Sequence, residues 1–321
     1  MSERIFCIAP MMDHTDRHFR YFLRVLSPHA WLFTEMVASG AVLHGDAESL
    51  LGFDSTEQPV ALQLGGSDPD DLACCAAIAQ DFGYGEVNLN AGCPSSRVSA
   101  GRFGACLMKE PLRVADCVAA MQAKVRIPVT VKCRIGVDQQ DTKEALTEFV
   151  QTVAGAGCRT FYVHARIAML SGLSPKQNRT IPPLNYERVW ALKREFPHLN
   201  IVINGGIRSV EEVQPHLARV DGVMVGRLAC EDHWAIRQIE KALFPASKAP
   251  ETPLEAFDAY LPYLEEQCRA GVPLARMTRH ITGLFRGCPG AKSWRQAVAC
   301  PDSSVSALQA LRETACQVAY A

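Results

Sequence analysis

One cysteine stands in a setting that suits acid chemistry. Cys93 lies between a glycine and a proline in the segment LNAGCPSSRV, directly after a short apolar run. A free thiol has a pKa of about 8.5, so at neutral pH it is mostly protonated and can give a proton to a reacting atom. The other cysteines read mainly as small buried apolar residues, and the 13 form no C-x-x-C pair. Cys93 is the candidate acid, and no metal site is expected.

Two glycine turns have the composition of a phosphate site. Residues 204–206 read Asn-Gly-Gly after one apolar run, and Gly226 and Arg227 follow the next. Glycines let backbone N–H groups approach a phosphate, the helix expected after Ser209 points its positive end there, and arginine adds a bidentate cation. Two ordinary turns beside a surface arginine are the alternative, and the position of both turns favours phosphate.

Further polar residues end apolar runs or lie within them. Asn90, Lys132 and His164 occur where runs end, and Gln63 lies inside a run, where a buried amide needs partners. The alternative explanation for Lys132 and His164 is that they form salt bridges at the rim of a strand barrel, the fold predicted below.

Eight short apolar runs must position these residues. They are IFCIA, WLFTEM, VALQL, EVNLN, PVTVKC, TFYVHA, IVIN and GVMVG, at 5–9, 31–36, 60–64, 86–90, 128–133, 160–165, 201–204 and 222–226. Runs that are apolar on both faces suit parallel strands covered on both sides. Helix-start signals lie between them: a proline follows Asp68 and another follows Glu110, and a capping box begins at Ser209.

Repeated strand-helix units predict an α/β fold, a closed (β/α)8 TIM barrel whose function gathers at the carboxyl ends of the strands. A doubly wound open sheet is the structural alternative. It usually has fewer strands and a glycine fingerprint after the first, whereas here Pro10 and two methionines follow the first run. The barrel is therefore favoured.

The composition changes at residues 244–250, FPASKAP, which read as a linker. Beyond it lie segments with helical spacing and no strand candidate. We therefore expect a barrel domain over 1–243 and a C-terminal all-helical domain over 251–321.

The overall composition is that of an ordinary globular protein, with 48% hydrophobic residues and 33 Lys+Arg against 34 Asp+Glu. It excludes disordered, collagen-like and membrane-spanning classes, and the first residues lack the apolar run of a signal peptide. A cytoplasmic protein with reduced thiols is expected. The balance argues against a uniformly basic nucleic-acid binder, but residues 267–299 contain six Lys and Arg and no acid. Such a stretch is usually an ordinary solvated face, and it is also compatible with a localised nucleic-acid surface.

Eight motifs, in order along the barrel, identify a family. They are IAPMMDHTDRHFR, FTEM, QLGG, VNLNAGCPSSRV, VKCRIG, VHAR, NGGI and VGR, and with them the chain resembles the tRNA-dihydrouridine synthases. The segments TDRHFRYFLR and HARIAMLSGLSPKQNRTIPPLNY are similar to the bacterial A subfamily, which reduces uridines 20 and 20a of the tRNA D-loop. After VGR the chain reads LACEDHW, where the family often has a proline.

The resemblance implies a flavoprotein that binds FMN, takes electrons from NADPH and passes a hydride to C6 of a uracil while a cysteine protonates C5. By motif position, Cys93 is that acid. The residues implied to contact the cofactor are Pro10, Met11, Met12, Gln63, Lys132, His164, Asn204, Gly205, Gly206, Gly226 and Arg227.

The resemblance also implies tRNA as the partner, with no membrane and no obligate protein partner. Asn90 is similar to the family's asparagine near the target base. Lys176 and Arg179, after the sixth run, and Lys292 and Arg295, in the acid-free stretch, are further candidates for contact with tRNA.

Two other functions are compatible with parts of this pattern. A flavin barrel dehydrogenase acting on a free pyrimidine such as dihydroorotate would share the FMN site but would not need the basic tail. A non-catalytic RNA-binding protein would not need Cys93, Lys132 and His164 together at the barrel mouth.

Overall fold

A computed structural model describes residues 4–95, 101–140, 142–299 and 305–320 of the chain. Its strands span Phe6–Ile8 (β1), Leu32–Ala38 (β2), Val60–Gly65 (β3), Glu86–Ala91 (β4), Val129–Arg134 (β5), Thr160–His164 (β6), Asn200–Asn204 (β7) and Gly222–Val225 (β8). All eight predicted strands are present, with ends that differ from the predicted ones by two residues at most.

The strands form a closed ring. All are parallel and are paired in the order β1-β8-β7-β6-β5-β4-β3-β2. The remaining seam, between β1 and the start of β2, is closed by Trp31: the Ile8 N–H donates to the Trp31 carbonyl, and the Trp31 N–H donates to the Phe6 carbonyl, each at 2.9 Å. The protein is therefore a (β/α)8 barrel, and the open-sheet alternative is excluded.

Helices cover the outside of the ring. They span Arg17–Leu26 (α1), Ser39–His44 (α2), Ala47–Leu51 (α3), Pro69–Asp81 (α4), Pro111–Lys124 (α5), Lys143–Gly155 (α6), Tyr186–Glu195 (α7), Val210–Leu217 (α8), Leu228–Glu231 (α9) and His233–Leu243 (α10), with 3-10 turns at Ser55–Glu57, Gly104–Lys109 and Gln177–Arg179. No helix of the described residues is long and apolar enough to cross a bilayer.

The helix-start signals are mostly confirmed. α4 begins at Pro69 and α5 begins at Pro111. Ser209 caps α8 by accepting a hydrogen bond from the Glu212 N–H, but the Glu212 carboxylate accepts from the Arg208 N–H instead of reaching back to Ser209. Only half of the predicted capping box therefore forms.

Helices also follow the barrel. They span Pro253–Arg269 (α11), Leu274–Thr278 (α12), Ala291–Ala299 (α13) and Val305–Ala319 (α14), with a 3-10 turn at Arg279–Ile281. Their apolar residues belong to one core cluster that they share with the barrel helices. His18 of α1 lies 2.7 Å from the Tyr263 hydroxyl through Nδ1. The stretch predicted as a linker is bonded to the barrel domain, since Arg237 Nε of α10 donates to the Pro250 carbonyl at 2.6 Å.

The helical tail is anchored beside the first barrel loop through Asp16. This carboxylate caps α1 by accepting from the Phe19 N–H, and it pairs with Arg279 at 2.7 Å and with His280 at 2.9 Å. Burial opposes its ionisation, but the hydrogen bonds from His280 and Arg279 outweigh burial and hold the pKa of Asp16 well below its usual range. The ion pair with Arg279 and the contact with His280 therefore fix the tail against α1.

A buried histidine of α10, His233, makes the stability of the protein depend on pH. His233 packs edge-on against Phe22, and neither of its ring nitrogens has a hydrogen-bond partner among the described residues. Burial lowers the pKa of His233 to about 4. The unfolded chain, with a histidine pKa of about 6.5, binds this proton first, so the free energy of unfolding falls as pH drops from about 6.5 to about 4.

We expect His233→Phe to preserve the packing and to make the free energy of unfolding depend less on pH. The difference in bound protons between the unfolded and folded states should fall by up to one. The measurement is the free energy of unfolding by urea at about pH 7 and about pH 5. The exposed His198 gives the matched control, His198→Phe, which should leave the slope unchanged. A His233→Phe slope equal to the wild-type slope would show that this residue is not the one that titrates.

Candidate active site

A cavity of about 650 Å³ opens at the carboxyl ends of the strands. This volume suits a small-molecule site. It is lined by these residues that sequence analysis singles out: Pro10, Met11, Met12, Gln63, Asn90, Cys93, Lys132, His164, Arg179, Asn204, Gly205, Gly206, Gly226 and Arg227. Lys176, Lys292 and Arg295 are exposed and do not line it.

The turn after β7 has the shape of a cradle. Gly205 and Gly206 have φ angles of +119° and +76°, which side-chain-bearing residues rarely adopt. A Cβ at Gly205 would lie 2.6 Å from Cδ2 of His164, and one at Gly206 would lie 2.6 Å from Cδ1 of Leu184. Glycine is therefore required at both positions. Arg227, in the turn after β8, lines the same part of the cavity.

Lys132 is aimed into the cavity by Asn204. The lysine Nζ donates to Asn204 Oδ1 at 3.0 Å, and Asn204 Nδ2 donates to the Met224 carbonyl at 2.7 Å, which fixes the orientation of the amide. Burial, with the charge of Arg134 nearby, lowers the pKa of Lys132 to about 8. The lysine therefore remains largely protonated at neutral pH, and it is poised to bind or stabilise an anion.

His164, at the end of β6, is neutral. Burial, together with the charges of Arg134, Lys132 and Arg166, lowers the pKa of His164 well below its ordinary value. A neutral imidazole has one donor nitrogen and one acceptor nitrogen, so His164 can donate one hydrogen bond and accept another.

The loop that carries Cys93 is fixed through its backbone. The N–H groups of Gly92 and Cys93 both donate to Asn90 Oδ1 at 3.0 Å, and the Cys93 carbonyl accepts from the Ala105 N–H at 2.8 Å. The Cys93 side chain is half-buried and lines the cavity. Residues 96–98, the rest of the motif LNAGCPSSRV, lie outside the described residues.

Arg134 is a site residue that sequence analysis did not assign. This buried arginine donates from Nε to the Gly92 carbonyl at 3.0 Å, and from Nη1 to the carbonyls of Ile167 at 3.0 Å and Asn178 at 2.9 Å. It thus joins the Cys93 loop to the long loop after β6. Because its partners are carbonyls, its positive charge is not neutralised and acts on the cavity. Its place in VKCRIG, at a strand end, was the available signal.

Other lining residues were also missed. They are Ala9, Asp13, His14, Met36, Gly92, Pro94, Pro175, Cys230 and Glu231. Asp13 and His14 directly follow the predicted Met12, and Met36 ends the second apolar run, so position along the chain could have found these three. Cys230 and Glu231 reach the cavity from α9.

The left-handed conformation of Gly205 predicts a cost for any side chain there. We expect Gly205→Ala to lower the free energy of unfolding by about 1–3 kcal/mol, because alanine is strained at that φ and its Cβ displaces His164. Urea unfolding measures the change. Gly155, the last residue of α6, has no atom within 4 Å of the position that an alanine methyl group would take, so Gly155→Ala is the control and should be neutral or slightly stabilising. Equal stability of the two variants would contradict the required geometry.

Comparison with known proteins identifies the family of this chain. Residues 7–319 match the family model described as dihydrouridine synthase (Dus). Three similar proteins are each named tRNA-dihydrouridine(20/20a) synthase: one from Synechocystis is 54% identical over 97% of this chain and 93% of its own length, one from Shewanella oneidensis 55% over 92% and 88%, and one from Escherichia coli K12 54% over 91% and 84%. By this match and these identities, the chain belongs to the dihydrouridine synthase family.

Proposed function

We propose that this protein is a flavin-dependent tRNA-dihydrouridine synthase that reduces the C5–C6 double bond of uridines 20 and 20a in the tRNA D-loop. The family is flavin-dependent, and the names of its relatives support both the substrate and the positions. The observation that carries the proposal is the convergence of Cys93, Lys132 and His164 on one cavity beside a glycine cradle. This convergence favours an enzyme over a non-catalytic RNA-binding protein. The names of the relatives and the exposed cations of α13 favour tRNA over a free pyrimidine as the substrate.

The cavity residues fit FMN as the flavin. The cradle at Gly205 and Gly206, with Gly226 and Arg227, suits a single phosphate group. Gln63 offers an amide to the edge of the ring, and the apolar parts of Pro10, Met11 and Met12 offer it a packing surface. Reduced by NADPH, the bound flavin would supply a hydride to C6 of the uracil.

Lys132 would hold the negative charge that develops on the cofactor side of the cavity. Its protonated Nζ is oriented by Asn204 before any ligand binds, so no reorganisation is needed during the reaction. Asn204 therefore contributes by aiming Lys132, in addition to the contact with phosphate that sequence analysis assigned to it.

Cys93 would supply the proton. Its thiol gives a proton to C5 while C6 accepts the hydride, which saturates the double bond and leaves a thiolate that solvent reprotonates. Lys132 and Arg134 are both close enough to Cys93 to interact with its charge, and they would stabilise that thiolate.

The target base must leave the folded RNA to reach this cavity. Flipping a base costs a few kcal/mol, which contacts to RNA shape and phosphates must offset. Asn90 and the neutral His164 can hydrogen-bond the edge of a flipped uracil, and Arg179 lies at the same cavity. Lys176, exposed in the loop after β6, would meet the surrounding RNA.

We assign residues 1–243 to an FMN-binding catalytic domain and residues 251–321 to a tRNA-binding domain. Lys292 and Arg295 are exposed on α13 and free to meet phosphates. Arg279 instead pairs with Asp16 at the start of α1, and Trp294 is wholly buried. Neither residue therefore forms part of the proposed RNA surface. An enzyme of tRNA would act in the cytoplasm, and the free thiols of the described cysteines fit a reducing compartment.

Replacing the acid should stop the reaction and spare binding. We expect the purified protein to be yellow and Cys93→Ala to lose at least about 100-fold in the rate of dihydrouridine formation while it keeps its flavin and its affinity for tRNA. The control is Cys106→Ala, a half-buried cysteine in the same part of the barrel that does not line the cavity. A colourless protein without releasable FMN, or an active Cys93→Ala, would overturn the proposal.

Removing the exposed cations of α13 should weaken tRNA binding through electrostatics. We expect the double substitution of Lys292 and Arg295 by Gln to raise the Kd for tRNA and to reduce the slope of log K against log salt by roughly one to two. Lys248→Gln removes an exposed charge from the stretch between barrel and tail and serves as the control. An unchanged salt slope in the double variant would mean that α13 does not face RNA.

A further inference from the structure

A chain of hydrogen bonds crosses the barrel interior from Glu86 towards the cavity. The Thr130 hydroxyl donates to Glu86 Oε1 at 2.6 Å. Asn88 Nδ2 donates to Thr130 Oγ1 at 2.8 Å, and Gln63 Nε2 donates to Asn88 Oδ1 at 2.8 Å. These four side chains are all buried. The chain thus links the amino-terminal end of β4 to a residue that lines the cavity.

The chain continues into the loop that holds the acid. Asn90 Nδ2 donates to Gln63 Oε1 at 2.8 Å. Asn90 Oδ1 in turn accepts from the backbone N–H groups of Gly92 and Cys93, each at 3.0 Å. A continuous path of hydrogen bonds therefore connects Glu86 to the backbone of Cys93.

The carboxylate of Glu86 fixes the direction of every bond in this path. It is fully buried, and it also accepts from Arg4 Nε at 2.7 Å and from the Tyr162 hydroxyl at 3.2 Å. Burial raises the pKa of Glu86, but the guanidinium of Arg4 at 2.7 Å opposes that rise and favours the ionised carboxylate, which can only accept hydrogen bonds. Thr130 must therefore donate to Glu86, which leaves its oxygen to accept from Asn88.

The orientation of each side-chain amide in the chain follows from that of the residue before it. Because Asn88 donates to Thr130, its oxygen faces Gln63, and the Gln63 oxygen must face the Asn90 amide nitrogen. This leaves the Asn90 oxygen to face the loop, which is the only orientation in which it can accept from Gly92 and Cys93. A reversed chain would turn the Asn90 NH₂ group towards two other donors and break both bonds.

We propose that Glu86, Thr130 and Asn88 are positioning residues for the reaction: through Gln63 and Asn90 they fix the loop geometry that presents Cys93 to the substrate. None of the three lines the cavity, whereas Gln63 and Asn90 do. The direction of the chain therefore also sets which donors and acceptors the cavity offers. The catalytic meaning rests on the proposed function, but the control of the loop does not.

Thr130→Val tests this proposal, since it removes the hydroxyl that transmits the direction and nearly keeps the volume. We expect the Cys93 thiol of the flavin-loaded holoenzyme to react with iodoacetamide roughly tenfold faster in this variant, because the loop loses its anchor. Peptide-resolved mass spectrometry measures the rate, with the exposed Cys74 as the internal standard. Thr130→Ser, which keeps the hydroxyl, should return the rate to within about twofold of wild type.

The matched control is Thr160→Val. Thr160 is a buried threonine at the start of β6 whose hydroxyl makes no hydrogen bond with the chain among the described residues, so its loss should leave the Cys93 rate unchanged. In steady-state kinetics Thr130→Val should lower kcat with little change in the KM for tRNA. Should Thr130→Val fail to fold, Glu86→Gln removes the acceptor-only end of the chain and should accelerate alkylation in the same way.

Three results test this proposal, and the first and third of them separate it from the proposed function. Wild-type alkylation of Cys93 in a folded Thr130→Val or Glu86→Gln protein would overturn the positioning role and leave the reaction intact. Acceleration by Thr160→Val equal to that by Thr130→Val would also overturn it, since the effect would then follow from lost stability alone. Faster alkylation in Thr130→Val, together with a wild-type protein that makes no dihydrouridine, would uphold control of the loop and refute the reaction.

Discussion

The Glu86 carboxylate lies wholly inside a closed barrel, where an unpaired charge would cost several kcal/mol. Arg4, just before β1, and Tyr162, on β6, donate to it across the barrel interior, and Thr130 donates to it from the neighbouring β5. Because each of these partners must itself be satisfied, the polar interior extends strand by strand to the barrel mouth. The need to satisfy each buried polar group with a hydrogen bond therefore connects the barrel interior to the residues of the site.

Positive charge dominates the mouth of the barrel. Lys132, Arg134 and Arg227 face the cavity or lie beside it. Burial, together with their positive charges, disfavours the protonated form of His164 and keeps it neutral. These positive charges repel one another in the absence of a bound anion, which destabilises the site. A phosphate group and a negatively charged reduced ring would offset this repulsion, so the same residues would bind the expected ligand favourably.

The strands were predictable because runs apolar on both faces leave few alternatives to parallel sheet, and the convergence of their carboxyl ends predicted most of the cavity. The partners of the site residues were not predictable. Nothing in the spacing of VKCRIG tells that Arg134 binds three carbonyls, and the alternation of a strand cannot reveal that Gln63 and Asn88 are bonded. The burial of Trp294 was not predictable either, because helical spacing does not say which face of a helix is covered, and here Phe257 and Phe285 cover the indole ring.

The most direct measurement of whether this chain reduces uridines of the tRNA D-loop is a map of dihydrouridine in tRNA from cells that lack the protein. We expect the loss of dihydrouridine at positions 20 and 20a, its retention at other positions, and its recovery when the wild-type chain is returned. An unchanged map at positions 20 and 20a, in cells shown to lack the protein, would contradict this function.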